Sequence, residues 1–314
     1  MSALERVTIV GAGLMGHGMA QVFAAHGHPV MLTDNDATIL AQARGRIRGN
    51  LEQLAAHSLF DAASIDATVE RVTVTPDLAQ ACANCNVVFE AVFEDMALKQ
   101  SIFAEMDRLC PPEVILCSNT SVMSITEIAS KATRRERILG THWWNPPYLV
   151  PLVEVVRTAD TAEQYIEAIC DLLTRVGKRP VRVHKDVPGF VGNRLQHALW
   201  REAFYLIDQG ICDAETVDEV VRNSFGMRLP VLGPVENADM IGLDLVESIH
   251  AYIEPYLCNS TTPSETLRAR VAEKRLGFKS GAGFLTWSEQ EMAASRKRLA
   301  EHLMRMLGQR PQEE

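Results

Sequence analysis

The chain has 314 residues, 47% of them hydrophobic and 23% charged, with a formal net charge of −9. A chain of this length buries a full core without disulfide or metal staples, and an acidic balance with no Lys/Arg stripe argues against nucleic acid as a partner. No apolar run reaches the roughly 18–20 residues of a membrane span. Met1 to Arg6 lead straight into a strand-like run, leaving no room for a signal peptide, and the seven scattered cysteines fit reduced thiols in the cytoplasm.

In chain order, strand candidates are Arg6–Val10, Val30–Thr33, Val72–Thr75, Val87–Val92, Val114–Cys117 and Ile138–Thr141. Helical stretches lie between them at Leu14–Gly27, Asp36–His57, Pro76–Ala83 and Met96–Leu109. The alternation predicts a parallel sheet covered by helices, and the continuous apolar run Val87-Val88-Phe89 suits a strand buried on both faces. Cys82 and Cys85 form a C-x-x-C without the second pair that zinc would need; they are expected at a helix–strand corner. Leu152–Val156 and Val181–Val183 read as two further strands around a helix at Ala162–Val176. From Pro188 onward only helices are expected. Leu195, Leu199, Ala203, Leu206 and Ile207 make one stripe, Gly210 closes that helix, and Asp213 caps the next, with Val217, Val220 and Val221 facing inward. The polar Gln309–Glu314 is expected to fray. The fold class is α/β: a Rossmann-type doubly wound parallel sheet (1–186) followed by an all-α C-terminal domain (187–314).

Gly11-Ala12-Gly13-Leu14-Met15-Gly16 follows a strand and opens a helix, the context in which G-x-G-x-x-G cradles a dinucleotide. Gly11 permits the turn, Gly13 lets a pyrophosphate approach, and Gly16 lets the helix pack on the strand. The helix N-terminus, with Leu14 and Met15 in its first turn, offers free N–H groups to phosphate. Asp34 ends the second strand, eighteen residues after Gly16. A carboxylate there accepts from ribose hydroxyls and repels a 2′-phosphate, which points to NAD rather than NADP.

Three features carry the chemistry. Ser118-Asn119-Thr120-Ser121 follows a strand whose C-terminal end should line the ligand crevice; Ser121 alone could equally be part of a helix cap. His142-Trp143-Trp144-Asn145-Pro146-Pro147 precedes Leu152-Val153-Glu154. Oxidising a secondary alcohol needs a base for the hydroxyl proton, which suits histidine. Glu154 lies on an apolar strand where an unpaired carboxylate is costly, and a reversal at Pro146-Pro147 could bring His142 to it as its partner. Val187-Pro188-Gly189-Phe190-Val191-Gly192-Asn193-Arg194 marks the domain junction, where Asn193 either bonds a substrate oxygen or starts a helix.

Together these residues resemble the 3-hydroxyacyl-CoA dehydrogenase family over nearly the whole chain. Gly233-Pro234, Asp239, Gly242-Leu243-Asp244 and Lys279-Ser280-Gly281-Ala282-Gly283-Phe284 extend the likeness. The resemblance implies that His142 is the general acid/base, that Glu154 orients it, and that Ser121 and Asn193 contact the substrate oxygen. It implies cofactor contacts at Glu94, Lys99, Asn119, Ser121 and Asn145, and a homodimer formed by the helical domain. Members acting on acyl-CoA carry a lysine-rich excursion before the third strand. Here Gly49–Glu70 has neither Lys nor Arg, and Arg44, Arg46 and Arg48 just upstream are the basic candidates. Trp143 and Trp144 replace the usual phenylalanines, and similar Asn-Pro-Pro sequences occur in a dehydrogenase of pyridine-carboxylate breakdown. The expected substrate is a compact 3-hydroxy acid, with an acyl-CoA thioester as the second candidate. Hydroxyacid dehydrogenases that use a lysine acid/base do not fit, because Gly189 and Gly192 are followed by Asn193-Arg194 with no lysine at the needed spacing. The rival of another class is a non-catalytic NAD-binding protein, crystallin-like or a sensor.

Overall fold

The structure is a computed structural model that describes residues 4–308; the segment Gln309–Glu314, expected to fray, lies outside the described residues. Its first part runs β1 (Val7–Val10), α1 (Leu14–Ala25), β2 (Val30–Thr33), α2 (Ala37–Ala56), α3 (Ile65–Glu70), β3 (Val72–Thr75), α4 (Leu78–Cys82), β4 (Val87–Glu90), α5 (Met96–Leu109), β5 (Ile115–Ser118), α6 (Ile125–Ile128), β6 (Ile138–Trp143), β7 (Leu152–Val156), α7 (Glu163–Arg175) and β8 (Arg179–Val183). The eight strands form one sheet in the order β3-β2-β1-β4-β5-β6-β7-β8. All neighbours are parallel except β6 and β7, which are antiparallel.

Local chemistry explains the elements. Asp36 caps α2 by accepting from the N–H groups of Thr38 and Ile39, and Asp95 caps α5 through Leu98. Such caps satisfy N–H groups that have no partner inside the helix. Leu40, Ala43, Ile47, Leu51 and Leu54 recur on one face of α2 and are buried, each large side chain contributing about 1.5–3 kcal/mol over exposure. The strands β1, β4 and β6 are buried at every position. Cys82 and Cys85 do sit at the corner between α4 and β4, buried beside Cys110. Hydrogen bonding with the Cys82 sulfur pushes the Cys110 thiol up to about 12, so that thiol stays protonated and inert at neutral pH.

The remaining elements are α8 (Gly192–Asp208), α9 (Ala214–Asn223), α10 (Pro234–Ile241), α11 (Leu243–Ile253), α12 (Glu265–Ala272) and α13 (Glu289–Gly308). Two compact units result among the described residues: 4–194 together with 300–308, and Leu195–Leu299. The first unit runs past Asp186 because the 187–194 segment bonds back onto it, through Gly189 N–H to the Val122 carbonyl and Val191 N–H to Glu154. Met304 of α13 packs with Leu54 and Leu149 in the same unit.

Within Leu195–Leu299, Phe204 stacks on Phe284 at 4.7 Å, Asp208 accepts from the Thr266 N–H, and Asp213 caps α9 through Thr216. The regular elements of this segment are all helical, as expected, with only isolated antiparallel bridges joining Gly277 to Ala282 and Ala282 to Thr286. One expectation is corrected: Val220, expected inward, is 56% exposed, and Leu195 and Leu199 of the α8 stripe are 59% and 40% exposed. Periodicity identifies an apolar stripe but not the molecule that covers it.

Candidate active site

The order of the sheet reverses at β1, so a crevice opens beyond the C-terminal ends of β1 and β4, where open α/β sheets bind ligands. A cavity of about 650 Å³ lies there, lined by Gly11, Gly13, Leu14, Met15, Asp34 and, on the α5 side, Leu98 and Ile102 among others. A Cβ at Gly16 would meet the Gly11 carbonyl oxygen at 1.7 Å, whereas one at Gly13 would meet nothing within 4 Å. Gly16 therefore serves helix–strand packing, and Gly13 leaves open the approach to α1, whose first turn carries no acidic side chain. These are the requirements for a pyrophosphate. Asp34 accepts the Ala12 N–H at 2.6 Å on Oδ2 and the Asp36 N–H at 2.9 Å on Oδ1. That aims the carboxylate at the cavity and leaves lone pairs for a ribose diol. The residues present fit a dinucleotide.

Beside the cavity lies a charge network that sequence reasoning saw only in part. Lys99 is 1% exposed, with its Nζ 2.7 Å from Glu90 Oε1 and 3.3 Å from Glu94 Oε2. Glu90, fully buried at the end of β4, also accepts from the Ser118 hydroxyl and the Val92 N–H. Glu94 Oε1 takes the Thr120 hydroxyl and the N–H groups of Ser121 and Val122. Burial pushes the Glu94 carboxyl up, but the Thr120 hydroxyl and the Lys99 charge outweigh it, and the net shift is down. The network shapes the 118–122 loop. Glu90 could have been found by the signal that found Glu154, a carboxylate on a strand buried on both faces.

His142 and Glu154 are register partners across β6 and β7. His142 Nδ1 lies 2.7 Å from Glu154 Oε2, and because a carboxylate only accepts, Nδ1 carries the proton. Nε2 is then the nitrogen free to accept from a ligand. Glu154 Oε1 takes the N–H groups of Val191 and Gly192 at 2.9 and 3.0 Å, at the start of α8, where the helix dipole favours a negative charge. Burial pushes this carboxyl up, and the bonds from His142, Gly192 and Val191 more than reverse the effect, so it stays ionised below the usual range. The turn that delivers these N–H groups holds Gly189 and Phe190 at φ +78° and +48°, an unfavourable conformation for phenylalanine. It sets the Phe190 ring 5.8 Å from the imidazole, with Trp144 at 5.1 Å. The turn after β6 is fastened by Lys178, which donates to the Pro147 and Val150 carbonyls and lies 5.1 Å over the Trp143 ring.

Asn193 Nδ2 donates to the Ser121 carbonyl at 2.7 Å, so these two candidates come together at the junction. Asp186 joins them by accepting from the Ser124 hydroxyl and from the N–H groups of Ile125 and Thr126, capping α6 from a distant segment. Asn119 Oδ1 accepts the Trp143 N–H at 2.9 Å and bridges the ends of β5 and β6. Asn145 is exposed beside Pro146. Glu94, Lys99, Asn119, Ser121 and Asn145 do not line the cavity at the glycine loop. The contacts of Asp186, Lys178 and Gly192 were not anticipated, because their partners lie far away in sequence.

The family model described as 3-hydroxyacyl-CoA dehydrogenase, NAD binding domain, matches residues 6–187. That described as 3-hydroxyacyl-CoA dehydrogenase, C-terminal domain, matches residues 189–287. The chain is 32% identical over 304 residues to a 5-formyl-3-hydroxy-2-methylpyridine 4-carboxylate 5-dehydrogenase of Mesorhizobium japonicum, covering 96% of each. It is 35% identical over 288 residues to a probable 3-hydroxybutyryl-CoA dehydrogenase of Bacillus subtilis, covering 91% of this chain and 99% of that one. Among solved structures, a 5-formyl-3-hydroxy-2-methylpyridine 4-carboxylic acid 5-dehydrogenase, an NAD⁺-dependent dismutase, superposes with TM-score 0.90 at 31% identity, over 98% of this chain and 100% of that one. An (S)-3-hydroxybutyryl-CoA dehydrogenase of Ralstonia eutropha superposes with TM-score 0.77 at 31% identity, over 91% of this chain and 100% of that one.

Proposed function

This chain belongs to the 3-hydroxyacyl-CoA dehydrogenase family and is an NAD-dependent oxidoreductase acting on CH–OH; within that chemistry we propose that its substrate is a compact hydroxyl-bearing carboxylate, or the matching carbonyl compound, rather than a long acyl-CoA. The observation that carries this reading is the fate of the 44–70 region. Arg48 pairs with Asp66 at 2.5 Å and Arg46 bonds Gln42 at 2.7 Å, while Arg44 is exposed. Residues 49–70 hold no Lys or Arg, and Leu54, Leu59 and Phe60 pack against Leu303, Met304 and Leu307 of α13. An apolar seam covered by the chain's own helix offers little to a phosphate-rich handle. The full-length likeness to a dehydrogenase of a pyridine carboxylate supports the same reading.

In this proposal NAD, when bound, supplies the hydride acceptor. His142 Nε2 takes the hydroxyl proton as the C–H electrons leave with the hydride, so a C=O bond forms and the proton ends on the imidazole. Glu154 holds the Nδ1 proton and stabilises the imidazolium. Ser121 and Asn193 hold the substrate oxygen, and in the reverse direction His142 returns the proton to the carbonyl oxygen. We place the enzyme in the cytoplasm as a homodimer joined through the helical unit, where no hydrophobic side chain of residues 195–299 is buried within one chain. No helix among the described residues is long and apolar enough to cross a membrane.

Steady-state kinetics with NADH tests the substrate class. Small oxo or formyl carboxylates are expected to be turned over orders of magnitude faster in kcat/KM than acetoacetyl-CoA. Reduction of acetoacetyl-CoA above about 10⁵ M⁻¹s⁻¹, in the ordinary enzyme range, with free acids far slower, would reverse the assignment.

A further inference from the structure

We infer that Trp144 is a positioning residue for His142, and that Gly192 is glycine because the Trp144 indole sits on it. A Cβ built at Gly192 would lie 2.5 Å from Cζ2 of Trp144, 3.3 Å from Cη2 and 3.4 Å from Cε2. These atoms belong to the six-membered ring of the indole. The backbone at Gly192 cannot retreat freely, because its N–H donates to Glu154 Oε1 at 3.0 Å and it is the first residue of α8. The same indole packs against the imidazole, the two ring centres 5.1 Å apart.

Three contacts thereby fix the His142 ring. Glu154 holds Nδ1 at 2.7 Å, and the ring centres of Trp144 and Phe190 lie 5.1 and 5.8 Å from that of the imidazole. With all three in place Nε2 has a single direction. A shift of about 1 Å in a reacting group can cost about 10²-fold in rate, so a side chain packed against the histidine can set turnover. A methyl group at position 192 would either press the indole toward the imidazole or lift the N–H from Glu154. Trp144→Phe removes the ring that the methyl group would meet.

The proposal rests on His142 being the acid/base, and a cycle of variants separates the two ideas. Gly192→Ala is expected to lower kcat at least tenfold while leaving the NADH Kd within about twofold, since the cradle lies elsewhere. Trp144→Phe is expected to lower kcat several-fold. The double variant should turn over faster than Gly192→Ala alone, so the second substitution rescues the first; a tenfold coupling is about 1.4 kcal/mol. If Gly192→Ala alone is too unstable to assay, the double variant carries the test by folding and turning over like Trp144→Phe. A Gly192→Ala variant with wild-type kcat, or a double variant no better than the product of the two losses, would overturn the proposal. Wild-type turnover by His142→Gln would instead remove the acid/base role, leaving the steric coupling readable as a rescue in melting temperature.

Discussion

His142 and Glu154 stand opposite one another across the antiparallel β6–β7 pair, and the register that bonds the strands also brings Nδ1 to within 2.7 Å of Oε2. Direct cross-strand partners share one face of a sheet. The contact is therefore held by the backbone ladder that joins β6 to β7 rather than by a loop. The other carboxylate oxygen is held by the start of α8, so a single side chain orients the histidine and anchors a helix.

His142→Gln should lose about 10²–10⁴-fold in kcat, the usual cost of removing a general base, and should still bind NADH in a fluorescence titration. Glu154→Gln should lose less, because the histidine remains but its tautomer is no longer held. Near-normal turnover by His142→Gln would refute the assignment.

Asp34 should make NADH preferred over NADPH by at least about tenfold in kcat/KM, a difference of about 1.4 kcal/mol. Asp34→Ala should narrow that ratio, mostly by raising KM for NADH. Equal use of both nucleotides by the wild type would sink the ribose argument.

The depressed Glu154 carboxyl predicts a pH dependence of stability. Its folded value lies below the unfolded one, so its contribution is fully present above the ordinary glutamate value of about 4.3. The contribution is lost as pH falls through the folded value. Urea unfolding of the wild type and of Glu154→Gln should therefore show a constant gap from neutral pH down to about pH 5, closing on further acidification. A gap that widens in acid would contradict the assigned direction.

Lys99→Met should destabilise the chain by about 3–5 kcal/mol, the range for breaking a buried ion pair, because Glu90 and Glu94 would be left close together without their cation. Adding Glu90→Gln should recover part of the loss. A melting temperature unchanged by Lys99→Met would show the network to be unimportant for folding.

The exposed apolar stripe of the helical unit predicts twice the chain mass of 34.8 kDa in light scattering at micromolar concentration. Self-complementary two-fold contacts are the commonest closed assembly. A monomer under those conditions would count against the homodimer.

Much of the fold and the centre of the site are legible in the sequence because their signals are local. The glycine loop needs only the strand before it and the helix after it, and the strands of the first half emerge within a residue or two of their observed bounds. The largest differences are two residues: Val87–Val92 ends at Glu90, where Val92 N–H turns back to the Glu90 carboxylate, and Ile138–Thr141 runs on to Trp143. Glu154 was found because a carboxylate on an apolar strand demands a partner, and the proline turn named His142 as that partner.

What the sequence by itself determined is the order of the elements, the glycine loop with an acidic residue at the end of the next strand, and the residue types of the proposed His142–Glu154 pair. Only the tertiary structure decided which distant groups complete them. Glu90 meets Lys99, Asp186 caps α6, the 191–192 N–H groups hold Glu154, and Trp144 rests on Gly192. Spacing along a chain reports neighbours within a helical turn or along a strand. Contacts between segments tens of residues apart depend on strand order and on how helices cross the sheet, and no short pattern encodes these. The exposed stripe on α8 and α9 shows the same limit from outside: its periodicity marks an apolar face, while what buries that face depends on a surface beyond the helix itself.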